Sequence, residues 1–459
     1  MELNRRKFLA SGTAAVGLAG MSAGCSTAGF GHKSSYLTQV LAPQNQNTVF
    51  HWVDVVLQQT RDQRVPPPRA AYNYAGPMLA GFLAANAISQ RYHEPYGLGA
   101  APAGADPEVA YGVAFATVAA QCFGQPFILE RREFKNRFAD SEAKSLGVEW
   151  GRKVGMYVNK MRTRDGAQPS QINYYHGRYP RRKDALNWNP TGATYGDSLG
   201  PRVGHYDRGL FPGLGKVKPW TMTHSEQFQP GEFYDPASPE FAKQYEYVRK
   251  IGCAESAMRT EDEAEIAVFW EDGPWGITPP GHFLYIAVQV MQGRGMDFLD
   301  TARAFALLGM TQGDAAINAW NCKYQYDILR PETAIRYRAG EFGNAGVTQE
   351  KGWKSYIPTP NFPAYTSGHS TFGAAGAELT ALLIGTDKVT FDHTSPDLNG
   401  FPQLEGRRRR WTSLSEAAEE NGMSRLYGGV HWEIDHTAAM DAGRSIARQA
   451  FQRWFQRRV

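Results

Sequence analysis

Ser424-Arg425-Leu426-Tyr427-Gly428-Gly429-Val430-His431-Trp432-Glu433-Ile434-Asp435 is the stretch on which the fold turns. Just upstream, Ser413-Leu414-Ser415-Glu416 has the spacing of a capping box, so a helix is expected from there to about Leu426. Two adjacent glycines interrupt it, and helical spacing resumes at His431 and runs toward Phe455. Helix, tight break, helix is the unit of a helical bundle. Asp435 stands one turn after His431, so its carboxylate can accept from one imidazole nitrogen and leave the other as nucleophile or ligand. The glycine pair would let Arg425 fold back beside that histidine. Taken alone, the pattern also describes a surface His–Asp pair.

The same periodicity extends outward. Helices are expected at His51–Gln59, Arg69–Gln90, Pro107–Cys122 (with Asp106 as N-cap), Glu142–Val158, Glu240–Arg249 and Glu261–Phe269. Further ones are expected at Pro280–Gln292, Phe298–Met310, Ala315–Leu329 and Gly368–Leu383, the last opened by Ser367. Between Asn187 and Pro230 the chain turns rich in Gly, Pro, Tyr and Trp and keeps no helical period, which reads as a long ordered loop region. No strand-like alternation is sustained. The expected fold is all-α, a helical-bundle core with a long looped middle region.

Composition narrows the function. The 459 residues carry 42% hydrophobic and 20% charged side chains, a globular balance. A net charge of +4 is too small for a protein built around nucleic acid. Four cysteines do not make a disulfide framework in a chain of this length. Arg407–Arg410 reads as a solvated basic loop.

Two more segments carry chemistry. In Lys323-Tyr-Gln-Tyr-Asp-Ile-Leu-Arg330-Pro331 the two cations are seven residues apart, about 700° of helix and within about 20° of two full turns, so they would leave one face. Pro331 would end that helix at Arg330. In Thr366-Ser367-Gly368-His369 a hydroxyl, a glycine and a histidine open a helix, where backbone N–H groups and the helix dipole favour an anion. Singly these are a basic face and an ordinary Ser N-cap. Together with Arg425 and His431 they converge on one oxyanion: three cations, two neutral donors and two imidazoles.

Lys-x6-Arg-Pro, Ser-Gly-His and Ser-Arg-x5-His-x3-Asp, in this order over Lys323–Asp435, resemble the signature of the vanadium-dependent haloperoxidase and type 2 phosphatidic acid phosphatase superfamily. Thr366 departs from it, standing where the motif usually has proline. The resemblance implies a fold of helical bundles, with His431 bonded to vanadium or acting as a phosphohistidine nucleophile. It makes Lys323, Arg330, Ser367, Gly368 and Arg425 ligands of the anion's oxygens, His369 the acid–base partner, and Asp435 the group orienting His431. The cofactor it implies is vanadate, or phosphate in the phosphatase alternative.

Trp320 and Phe362 resemble the aromatic halide-side positions of fungal chloroperoxidases. Phe269-Trp270-Glu271-Asp272-Gly273 resembles a haloperoxidase segment whose aspartate pairs with an anion-site arginine, making Asp272 a candidate partner for Arg425. His282 and His436 sit near these motifs but need no role. The implied reactants are hydrogen peroxide, a halide and a small organic acceptor. The alternative is an exported acid phosphatase acting at the same site.

The N-terminus reads as an export signal over residues 1–25: Asn4-Arg5-Arg6-Lys7-Phe8-Leu9 resembles a twin-arginine signal, and Ser22-Ala23-Gly24-Cys25 resembles a lipoprotein cleavage site. Export to the periplasm or cell envelope, with a lipid anchor at Cys25, is the expectation. Residues 26–50 read as a tether, 51–310 as an N-terminal helical region with loops, and 311–459 as the catalytic helical region.

Overall fold

The structure, a computed structural model, describes residues 47–168, 184–189, 209–273, 276–396 and 401–458. The export signal with Cys25, most of the tether and part of the looped middle lie outside the described residues. Five helices open the chain: α1 (Thr48–Asp62), α2 (Pro67–Ser89), α3 (Pro107–Phe123), α4 (Gln125–Asn136) and α5 (Glu142–Arg162). Caps set their starts. Asn47 accepts from the Val49 N–H, Asp106 from those of Glu108 and Val109, and Ser141 from that of Lys144. Helix α1 therefore begins inside the stretch read as tether. Helix α4 has no counterpart among the sequence expectations; it buries only Phe127 and Phe134 and leaves Ile128 and Leu129 exposed, too narrow an apolar stripe to read.

After the middle region come α6 (Pro239–Ile251), α7 (Glu261–Phe269), α8 (Thr278–Met291) and α9 (Phe298–Tyr326). Helix α9 is continuous where the spacing suggested two helices. Its polar stretch Thr311-Gln312-Gly313-Asp314 looked like a break, but all four residues are buried. The Asp314 carboxylate accepts from the backbone N–H groups of Trp220, Thr221 and Met222 and from the Thr221 hydroxyl, at 2.6–3.0 Å. That one side chain pins the aromatic loop to the bundle.

The C-terminal part holds α10 (Gly368–Ile384), β1 (Lys388–Thr394), β2 (Arg408–Ser413), α11 (Leu414–Tyr427) and α12 (Glu433–Arg453). The antiparallel β1–β2 pair corrects the expectation of no strands. It also corrects the solvated basic loop: Arg408 pairs with Asp392, and Arg409 with Asp262, Glu265 and Glu420. A strand alternates its faces, so arginines crowded in sequence part in space.

Helix α9 lies against α2 on one side and α10 on the other, and α10 packs on α11 and α12. The large core follows α9 from the N-terminal helices to Trp320 and Phe372. A second cluster surrounds Trp270, Phe283 and Trp411, and a third Phe241, Tyr245, Trp353 and Trp432. Among the described residues no helix is long and apolar enough to cross a membrane.

Candidate oxyanion site

Helix α9 ends at Tyr326 because Asp327 turns left-handed, with φ 59°, and donates its N–H to the Lys323 carbonyl. Arg330 thus sits beyond the helix in extended backbone (ψ 154°), not on the shared face that the spacing suggested. Both side chains still turn into the same buried region. Ser367 caps α10, accepting from the Ser370 N–H at 3.3 Å, and its own N–H donates to the Asp435 carbonyl at 2.9 Å. The start of α10 is thereby tied to the start of α12.

The glycine break is a close backbone approach. Gly429 has φ 74°, and a Cβ there would meet the Gly252 carbonyl oxygen at 2.1 Å, so only glycine fits. Beyond it, His431 precedes α12 rather than lying on it. The Asp435 carboxylate accepts from His431 Nδ1 at 2.7 Å and from the Trp432 N–H at 3.0 Å. The pairing read from one helical turn is real, but it is built as an N-terminal cap.

With Nδ1–H given to Asp435, the His431 lone pair is at Nε2, where Arg330 Nη1 lies 3.0 Å away. Arg330 also donates from Nη1 to the Val430 carbonyl (2.7 Å) and from Nε to that of Phe362 (2.8 Å). Its Nη2 has no hydrogen-bond partner among the described residues, nor do Arg425 Nε and Nη1, although all three atoms are buried. Burial lowers Arg330 to about 9 and Arg425 to about 10, so both stay charged at neutral pH.

Lys323 Nζ donates to the carbonyls of Pro363, Ala364 and Thr366 at 3.0, 2.9 and 2.6 Å, which uses all three of its donors. It clamps the segment leading into Ser367 as well as adding charge. Thr366, the departure from the usual motif, supplies the shortest of these bonds. Burial, then the Arg330 charge, pushes Lys323 down, while Asp435 opposes. Burial raises Asp435 against the Trp432 N–H and the charges of Lys323 and Arg330.

His369 Nε2 lies 3.2 Å from the Glu271 carbonyl; as donor to that oxygen it keeps its lone pair on Nδ1. Burial, reinforced by the neighbouring cations, holds both His369 and His431 well below the usual imidazole value, so both are neutral bases. At Gly368 an added Cβ would sit 3.5 Å from Trp320, an ordinary contact. Packing does not demand glycine there, so its gain is free approach to the backbone.

The expected aromatic pair is present. The rings of Trp320 and Phe362 are 5.0 Å apart, Lys323 Nζ and Arg330 Cζ lie 5.0 and 4.9 Å from the Phe362 centroid, and the Trp320 N–H donates to the Leu210 carbonyl. Asp272 requires a correction: it makes no ion pair with Arg425. Its backbone is left-handed (φ 49°) and its carboxylate is 3.0–3.1 Å from His282 Nδ1, so it reaches Arg425 only through space, behind Glu271.

Sequence reasoning missed two buried histidine systems. His282 Nε2 faces His393 Nε2 at 2.7 Å, with Trp270 stacked on His282 at 4.5 Å. His436 bridges Ser370 and Glu419, at 3.0 Å each. The available signal was His282 and His436 lying inside helical patterns beside the motifs, where a buried imidazole needs partners. Among the described residues no group of three or more His, Cys, Asp or Glu is arranged to hold a metal ion.

The fold and pocket define a helical-bundle protein with a buried cationic cage. Residues 303–458 match the family model for the second helical-bundle domain of vanadium chloroperoxidase (VCPO). The vanadium chloroperoxidase of Curvularia inaequalis is 30% identical over 182 residues, covering 31% of this chain and 29% of its own length. The match thus spans under a third of that relative. A solved structure titled as the first bacterial vanadium-dependent iodoperoxidase superposes with TM-score 0.71 at 24% identity, covering 89% of this chain and 96% of that one. An apo-type bacterial vanadium-dependent chloroperoxidase gives TM-score 0.61 at 16% identity, covering 84% and 94%. The similarity to the vanadium chloroperoxidase family thus lies in the C-terminal bundle, residues 303–458, while the solved structures share the fold over most of the chain.

Proposed function

We propose that the protein is a vanadate-dependent haloperoxidase, using hydrogen peroxide to oxidise a halide to a hypohalous acid equivalent. One observation carries the reading: buried guanidinium N–H groups of Arg330 and Arg425 lack partners beside an imidazole lone pair that Asp435 holds in place. Buried charged donors left unsatisfied are costly, and a tetrahedral oxyanion supplies the missing acceptors and counter-charge. The donor set therefore fits vanadate.

His431 Nε2 would hold the central atom. Arg330, Arg425, the Ser367 hydroxyl and the Gly368 N–H would hold the oxygens, with Lys323 adding charge while it clamps residues 363–366. Vanadate supplies the Lewis acidity that activates hydrogen peroxide toward a halide. His369, neutral and fixed by Glu271, accepts the peroxide proton at Nδ1. Trp320 and Phe362 form an apolar, cation-backed wall for the halide. An organic acceptor would take the oxidised halogen. We place the protein outside the cytoplasm, held by a lipid at Cys25 in line with its N-terminal pattern.

The test is purified full-length protein with and without orthovanadate, scored for peroxide-dependent bromination and iodination and for phosphate-ester hydrolysis. Halogenation that requires orthovanadate is expected. Hydrolysis that orthovanadate inhibits, with no halogenation, would replace this reading by a phosphatase acting through His431.

A further inference from the structure

Ser367 is joined to the protein surface by a chain of hydrogen bonds. Its Oγ accepts from Ser370 Oγ at 3.0 Å, Ser370 Oγ lies 3.0 Å from His436 Nδ1, and His436 Nε2 lies 3.0 Å from Glu419 Oε1. Ser367 and Ser370 are fully buried and His436 nearly so, whereas the Glu419 side chain is 54% exposed. The chain joins three helices, with Ser370 on α10, Glu419 on α11 and His436 on α12. Gly422 makes room for it: a Cβ there would lie 2.2 Å from His436 Nδ1 and 3.0 Å from Ser370 Oγ.

Donor accounting gives this chain a direction. The Glu419 carboxylate only accepts, so His436 Nε2 donates to it. A serine hydroxyl has one proton, and Ser370 spends its proton on Ser367. The Ser370 oxygen is then the acceptor for His436 Nδ1, so both ring nitrogens donate and His436 acts as an imidazolium whose charge is set against the Glu419 carboxylate. Ser367 Oγ, already accepting from the Ser370 hydroxyl and N–H, turns its own proton away from both. The direction left to it is the pocket bounded by Arg330, Arg425 and His431.

We propose that Glu419, His436 and Ser370 form a positioning relay that aims the Ser367 hydroxyl proton at the oxyanion. The relay rests on the oxyanion reading of the pocket. It converts a rotatable hydroxyl into a preset donor, so its orientation is fixed before the anion arrives. None of the three residues touches the anion; they act through Ser367.

Orthovanadate binding to the full chain, measured by titration calorimetry at one pH, tests the relay without recourse to turnover. Ser367→Ala is expected to weaken binding about tenfold, the range of a hydrogen bond to a charged group. Ser370→Ala is expected to weaken it about three- to tenfold by the same bond energetics. The Ser367→Ala/Ser370→Ala double variant should match Ser367→Ala alone, because the second serine has nothing left to aim. His436→Ala should behave like Ser370→Ala, and His436→Asn, which keeps a polar atom near the Nδ1 position, should restore binding to within about twofold. A purely structural role predicts losses that multiply in the double variant and no rescue by asparagine, and either result overturns the relay. So does a Ser370→Ala protein that binds like wild type. Arg425→Met separates the two readings: unchanged binding in that variant removes the oxyanion pocket and the relay with it, whereas weakened binding beside an inert Ser370→Ala removes the relay alone.

Discussion

The N-terminal bundle and the pocket at the far end of α9 are buried to a similar degree but put burial to opposite use. In the first, glycines let apolar surfaces close on one another. A Cβ on Gly112 would meet Phe134 at 2.2 Å, and one on Gly151 the Ala110 carbonyl at 2.4 Å. In the second, the chain buries three cations around two neutral imidazoles and leaves guanidinium N–H groups without partners. Tight apolar packing stabilises the fold, while unsatisfied buried charge weakens it and keeps the pocket ready for an anion. Stability and function are therefore held in separate places, and substitutions should separate them.

The largest effect is expected from His431→Ala, which removes the atom proposed to bond the anion. Orthovanadate-dependent bromination should fall at least about a hundredfold in the folded protein, as for loss of a central catalytic group. If activity survives, the site is misassigned. Gly112→Ala should do the reverse, costing about 2–3 kcal/mol of stability through overpacking, seen as a lower denaturant midpoint, with normal activity in the folded fraction. Arg425→Met should cut orthovanadate affinity at least about tenfold and leave stability equal or higher, since a buried charge gives way to an apolar chain of similar length. A clear loss of stability there would blur the contrast between the two regions.

Acid should act on the pocket end. The native His369 and His431 have pKa values well below the ordinary imidazole value of about 6.5, so between those values and 6.5 the unfolded chain binds protons that the native chain does not. Stability should thus fall as pH drops below about 6.5. Denaturant unfolding at pH 7.5 and pH 5 should show the loss, and His369→Gln should make it shallower. The smallest effect, under about 1 kcal/mol, is expected for Arg408→Ala, whose exposed pair with Asp392 is screened by water.

Much of this contrast was legible in the residues themselves. The caps Asp106 and Ser367 lie within a few residues of the N–H groups they satisfy, so local pattern located those helix starts, whereas Asn47 sat unread in the stretch taken as tether. The candidate ligands Lys323, Arg330, Ser367, Gly368, Arg425 and His431 were picked out from the sequence because an oxyanion calls for donors of those kinds. Less legible was how they are presented. The spacing of Lys323 and Arg330 suggested one helical face, whereas a left-handed Asp327 separates them. Asp272 looked like an arginine partner and is held instead by His282, 10 residues on. The β1–β2 pair escaped notice because two short strands mean little until they meet.

The chain by itself determined where capped helices such as α3 and α10 begin, which side chains could hold an anion, and that two glycines break the last pair of helices. Those are local properties, set by donors, acceptors and backbone freedom within a turn or two. Only the tertiary structure decided that Lys323 clamps carbonyls 40 residues away, that Arg330 meets His431 across 101 residues, and that Ser367 connects through His436 to Glu419. Such contacts depend on loop closure and on which polar groups lose water together, and neither is written in any short stretch of sequence.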